Sequence, residues 1–157
     1  MLPRNPWYQG ENFADYIMIS GIDEAAIYAE VQIEPSKLLF YGSHEFDLLY
    51  ESWFHRRELR KEIIEKYQLR EDKVILILSV PNLWEQNIVS EQVHWQSIND
   101  ILDVLSKQDV NVIISLHTHC DRNLYQWIEE RYQMKISSER LKDILVVADI
   151  FVAAYSS

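Results

Sequence analysis

Glycine is scarce in this sequence. Gly10, Gly21 and Gly42 are the only three in 157 residues, roughly a quarter of the ~7% average usage. A phosphate-binding P-loop needs two glycines ahead of a Lys-Ser/Thr pair, and the dinucleotide fingerprint needs G-x-G-x-x-G. Neither pattern occurs, which excludes P-loop nucleotide hydrolases and NAD-type Rossmann enzymes. Cysteine is scarcer still: Cys120 stands alone, so no internal disulfide can form and a reducing, cytoplasmic setting is expected. Positive charge is also short, with 15 Lys plus Arg against 25 Asp plus Glu and a net charge of -10. An acidic surface repels phosphate backbones, so no nucleic-acid partner is expected. No run of about eighteen apolar residues exists to span a bilayer, and Met1 to Gly10 lacks the apolar core of a secretion signal. Peripheral contact with a membrane stays open.

What the chain does have is apolar residues, 48% of the total with 12% aromatic, enough to build a sizeable core. Ala14 to Ser20 reads as a buried strand, and Asp23 to Gln32 as a short helix capped by Asp23. Lys37 to Tyr41 is another short apolar run. Ser52 to Gln68 reads as one charged helix, with Leu59, Ile63 and Tyr67 recurring every four residues. A regular alternation follows. Lys73 to Val80 and Asn111 to His117 are continuous apolar runs, as strands covered on both faces are. Between them lies the amphipathic segment His94 to Lys107. Leu124, Ile128 and Tyr132 mark a further helix face, and Met134 to Ser137 a short third strand. Leu141, Ile144, Leu145 and Ala148 mark a helix, and Asp149 to Tyr155 a last buried strand. Strand alternating with helix predicts an α/β fold: a Rossmann-like parallel sheet with flanking helices. The last predicted strand has no covering helix after it, so an incomplete domain is expected, preceded by a remnant of another.

In open parallel sheets ligands bind outside the carboxyl ends of the strands. Those ends carry Ser79, Pro81, Asn82 and Trp84; then His117, Thr118, His119 and Cys120; then Tyr155, Ser156 and Ser157. With the common strand order 3-2-1-4, the Ser156-Ser157 tip lies beside the Asn82 loop and His117 one strand further over. Hydroxyls, an amide and an imidazole in one crevice suit a phosphate or nucleotide. His117 with His119 also has the H-x-H spacing of half a zinc site. His44, His55 and His94 lack ligand spacing, so no metal is expected, and a metal-dependent hydrolase using His117 and His119 is the alternative reading. A non-catalytic α/β interaction module is another. Trp53, Phe54, His55, Arg56 and Arg57 read as a solvated helix start, with an anion contact from Arg56 or Arg57 as the other reading. Cys120 reads as structural, and Glu129 and Glu130 as an exposed helix face.

Several strings together resemble a known family. The stretch from Ala14 through Gly42-Ser43-His44-Glu45-Phe46-Asp47 is similar to the interdomain region of two-domain GT-B proteins. These include UDP-N-acetylglucosamine 2-epimerases, capsular polysaccharide glycosyltransferases and CDP-glycerol glycerophosphotransferases. VILILSVPN resembles the opening strand of their nucleotide-binding domain. ISLHTHC resembles the strand that usually ends in His-Pro, although Thr118 stands where the family has proline. ADIFVAAYSS resembles the strand leading into the phosphate-contacting helix. The resemblance implies a remnant of the N-terminal domain at 1–41, a linker and linker helix at 42–70 that includes Gly42 and Asp47, and a nucleotide-binding domain at 71–157. It implies a UDP-, CDP- or CMP-linked sugar as partner, its nucleotide contacted by His117 and its phosphates by Ser156 and Ser157 beside the strand-end candidate Asn82, and no cofactor. The implied chemistry is transfer or epimerisation in surface polysaccharide biosynthesis, helped by stabilisation of the leaving nucleotide. The 157 residues alone are expected to be inactive.

Overall fold

The computed structural model describes residues 14–30 and 33–153. They divide into two compact units, Met1–Leu48 and Leu49–Ser157. The first unit carries strand β1 (Ile17–Ile19), helix α1 (Ile22–Glu30), a single 3-10 turn at Pro35–Lys37 and strand β2 (Leu38–Phe40). The two strands pair in parallel, Ile17 opposite Leu38 and Ile19 opposite Phe40. Ile19 is buried, but Tyr16 and Met18 are exposed, so the segment predicted as a buried strand is short and open on one face. Asp23 is not the cap of α1 but lies in its first turn. The helix start is instead tied by Glu24, whose carboxylate accepts from Ser20 N at 2.7 Å and Ser20 Oγ at 2.8 Å.

The helix predicted over Ser52 to Gln68 is two helices, α2 (His44–Phe54) and α3 (Arg56–Tyr67). His55 interrupts them at φ −103°, ψ 12°, outside the helical well. The break turns Arg56 and Arg60 toward the end of the sheet (below).

The second unit holds a four-stranded, wholly parallel sheet in the order β5-β4-β3-β6. Its strands are β3 (Ile75–Val80), β4 (Asn111–Leu116), β5 (Lys135–Ile136) and β6 (Ile150–Ala153). This is the expected 3-2-1-4 arrangement. Helices α4 (Glu91–Leu105), α5 (Trp127–Tyr132) and the single turn α6 (Leu141–Ile144) connect the strands. Residue alternation sorts the core into two layers. Leu76, Leu78, Val80, Val112 and Ile114 face Ile98, Leu102, Tyr125 and Ile128. Ile75, Ile77 and Ile113 face Ile63, Tyr67, Ile144, Val146 and Val147. Each fully buried aliphatic side chain contributes about 1.5–3 kcal/mol, so the central pair β3-β4 carries most of the apolar stabilisation. Ser90 caps α4 by accepting from Val93 N at 3.3 Å, which starts the helix earlier than the predicted His94.

Two further predicted elements differ. The helix expected over Leu141 to Ala148 stops after one turn and continues as a 3-10 turn, Leu145–Val147. The carbonyls of Val146, Val147 and Ala148 accept instead from Arg56 and Arg60. The last strand, expected to be buried, is exposed at all four residues, because β6 is a sheet edge paired with β3 alone among the described residues. Its entry is fixed by Asp149, whose carboxylate accepts from Ile75 N and from both arginines, each at 2.9 Å. Arg56 is therefore neither a solvated helix face nor an anion contact, but part of the frame that seats β6.

Candidate functional site

The carboxyl ends of β3, β4 and β5 open onto a cavity of about 530 Å³. It exists because the strands differ in length. β5 pairs with β4 only as far as Ile136 opposite Ile114, and Ser137 N donates to Ile114 O at 2.8 Å before the chain turns away. Ser115 and Leu116 continue past that point and form the cavity floor together with Ser79 and Val80. Ser115 is buried at 2% exposure. A hydroxyl within the apolar run NVIISLH is its signal in the sequence.

Of the predicted residues, Ser79, Pro81, Asn82, His117, Thr118 and Cys120 line this cavity. Asn82 is buried, and its side-chain oxygen accepts from Gln86 Nε2 at 2.9 Å, which leaves the amide N–H groups as donors. His117 sits at the end of β4, its backbone N–H donating to Val80 O at 3.1 Å. Thr118 lies inside a turn closed by Cys120 N donating to His117 O at 2.9 Å. His119 N donates to His117 Nδ1 at 3.2 Å, which places the proton of the neutral ring on Nε2. Trp84 does not line the cavity. It packs against His94 and Trp95, with ring centroids 5.8 and 5.7 Å apart. Tyr155, Ser156 and Ser157 lie outside the described residues. Gly42 stands between β2 and α2 at φ 82°, a left-handed conformation that glycine adopts without strain, while Asp47 lies within α2.

The remaining lining residues were not picked out in the sequence. Arg122 donates from Nη1 to Ser137 O at 2.7 Å and from Nη2 to Ile136 O at 2.8 Å. It brings a permanent positive charge to the cavity wall. Ser137, Ser138 and Glu139 form the turn after β5 and also line it. Burial pushes the Glu139 carboxyl up, but Lys66, Tyr67 and Ser137 outweigh this and bring it down to about 2. Glu129, predicted as exposed surface, accepts from Ile136 N at 2.9 Å and so serves the same strand end.

Behind the cavity lies a buried polar group. His94 Nε2 is 2.8 Å from Tyr125 Oη, which donates to Glu85 Oε1 at 3.3 Å. Burial lowers the His94 pKa and keeps its ring neutral near pH 7, despite the opposing pull of Glu85. Burial also pushes the Cys120 thiol up to about 11, which agrees with a structural cysteine. The His117 and His119 rings are 5.1 Å apart. Among the described residues no three His, Cys, Asp or Glu side chains are grouped to hold a metal ion. Nor, among them, is any helix long and apolar enough to cross a membrane.

No protein-family model and no curated protein matches the chain. Solved structures of the wall teichoic acid polymerase TagF do. A histidine-to-alanine form matches at TM-score 0.61 and 17% identity, covering 91% of this chain and 35% of that one. A histidine-to-asparagine form soaked with CDPG for thirty minutes matches at TM-score 0.56 and 16% identity, covering 99% and 39%. TagF without a stated substitution matches at 0.53 and 16%, covering 99% and 41%. The chain thus spans about two fifths of the length of the solved chains it resembles. At this identity the likeness is one of fold: the Rossmann-like α/β architecture of the GT-B type, as the sequence resemblance implied.

Proposed function

We propose that this chain supplies the nucleotide-binding part of a GT-B-type transferase that builds a surface polysaccharide or a related phosphate-linked polymer. Residues 1–41 are read as the end of a preceding domain, 42–70 as the linker, and 71–157 as the part that holds the nucleotide. The observation that carries this reading is the cavity at the carboxyl ends of β3, β4 and β5, lined by Asn82, Ser115, His117 and Arg122. It lies where parallel α/β sheets bind ligands, on a fold shared with a polymerase whose structures include a CDPG soak. That likeness favours transfer over epimerisation and a cytidine nucleotide over others.

The chemistry asked of these residues is electrostatic. When the acceptor hydroxyl oxygen bonds to the transferred group it gives up its proton to solvent, the donor's bond to the nucleotide phosphate breaks, and that bond's electron pair leaves on a phosphate oxygen. Arg122 and the Nε2–H of His117 stabilise that charge, and the Asn82 amide and serine hydroxyls orient the nucleotide. Ser156 and Ser157 complete the phosphate contacts in this proposal.

Calorimetric titration of the chain with CDP, UDP and CMP tests the reading. CDP is expected to bind most tightly, and His117→Ala to weaken it at least tenfold, the worth of one charge-assisted hydrogen bond. Absence of binding by all three at millimolar concentration overturns it.

A further inference from the structure

Resting on the nucleotide-binding reading, we infer that Tyr67 is a positioning residue, whose hydroxyl sets the shape of the Ser137–Glu139 wall of the cavity from outside it. Tyr67 ends α3, four residues after Ile63, and both are buried in the layer beneath the sheet. The ring is thereby fixed by packing, and only the hydroxyl reaches the turn. Its one proton goes to Glu139 Oε2. Its lone pairs accept the Ser138 backbone N–H at 2.9 Å and face Ser138 Oγ at 3.2 Å. A single hydroxyl therefore engages the main chain of Ser138 and the side chain of Glu139.

Glu139 itself has nothing left for a ligand. Lys66 and Ser138 Oγ occupy Oε1, and Tyr67 and Ser137 Oγ occupy Oε2. A carboxylate offers about four acceptor positions, and these four partners fill them. The depressed pKa of Glu139 agrees with that saturation. Glu139 is thus the anchor by which Lys66 and Tyr67 of α3 grip the turn. From the other side Arg122 holds the carbonyls of Ile136 and Ser137. Between the two grips the turn cannot shift without breaking charged or buried hydrogen bonds. A wall held in this way binds its ligand without first being ordered, and preorganisation of that kind shows as affinity.

Tyr67→Phe removes the hydroxyl and keeps the ring in the core. The expected result is a clear loss of exchange protection at the Ser138 amide, read by NMR without ligand. CDP affinity should weaken about fivefold, the worth of one lost hydrogen bond, with protection in β3 and β4 unchanged. Glu139→Gln, which keeps the shape but loses the Lys66 and Tyr67 attraction, is expected to do the same. If the parent chain binds CDP and Tyr67→Phe binds it equally well, the positioning role is overturned while the nucleotide reading stands. Unchanged Ser138 protection in both variants also overturns it. A parent chain that binds no nucleotide overturns both.

Discussion

Replacing Asp149 by alanine should unseat β6. The carboxylate takes the Ile75 N–H and the guanidinium groups of Arg56 and Arg60, each at 2.9 Å. Ile75 is 0% exposed, so its freed N–H has no route to water. A buried unpaired donor costs about 1–3 kcal/mol. The arginines keep their carbonyl partners on Val146, Val147, Ala148 and Lys73. Their side chains and that of Asp149 are 22–30% exposed, so the lost ion pairs add only about 0.5–1 kcal/mol after solvent screening. The sum is about 3 kcal/mol, against a total stability of about 5–15 kcal/mol. For a unit of this size that lowers Tm by about 12 °C, at about 4 °C per kcal/mol. The loss should depend on pH in a defined direction. Burial pushes the Asp149 carboxyl up, but Ile75 N–H and the two arginines outweigh it and the folded value is depressed. A depressed carboxyl stabilises fully above its unfolded value near 4, and the benefit disappears as pH falls through the folded value. Urea titrations of parent and variant should therefore differ by about 3 kcal/mol at pH 7, and the gap should narrow in acid, where a neutral carboxyl keeps the Ile75 N–H but loses the ion pairs. A difference below about 1 kcal/mol at pH 7, or one that stays constant down to the acid transition, refutes the reasoning.

Three other outcomes are expected. Arg122→Met should release the carbonyls of Ile136 and Ser137, and calorimetry should show CDP affinity falling about tenfold or more as the cavity wall loses that guanidinium. Cys120, with its thiol pushed up to about 11 by burial, should react with iodoacetamide at pH 8 about a hundredfold more slowly than a free cysteine, as its thiolate fraction dictates. Gly42→Ala meets no steric obstacle but must hold φ at 82°, so thermal melts should show a loss of about 1 kcal/mol.

The sheet was legible because its signals are local. KVILILSV and NVIISLH are runs that only doubly covered strands tolerate, and the strand order common in such sheets, 3-2-1-4, is the one found. Asn82 and His117 followed from the rule that ligands meet strand ends. The rest of the wall is assembled from a distance. Arg122 acts on Ser137, fifteen residues on, and Tyr67 on Ser138, seventy-one residues on. No pattern within a window of one helix or strand carries those pairings. The break at His55 was illegible for the same reason: α3 is turned by arginine partners at Val146 to Asp149, which helical periodicity does not register. At Glu129 the surface pattern was right for the helix face and still hid the carboxylate's bond to Ile136 N.

The brevity of β5 has a consequence for how such a chain can diversify. With two residues in the strand, the chamber is a step left by an unfinished edge, not a hollow carved from the core. Its depth is then gauged by where the chain leaves the ladder. Lengthening or trimming the segment between Ile136 and Leu141 would resize the chamber for a bulkier or slimmer guest. The isoleucines of the two layers would keep their packing, but Tyr67 would lose the partners of its hydroxyl, so chamber size and the layer beneath are coupled through that one residue.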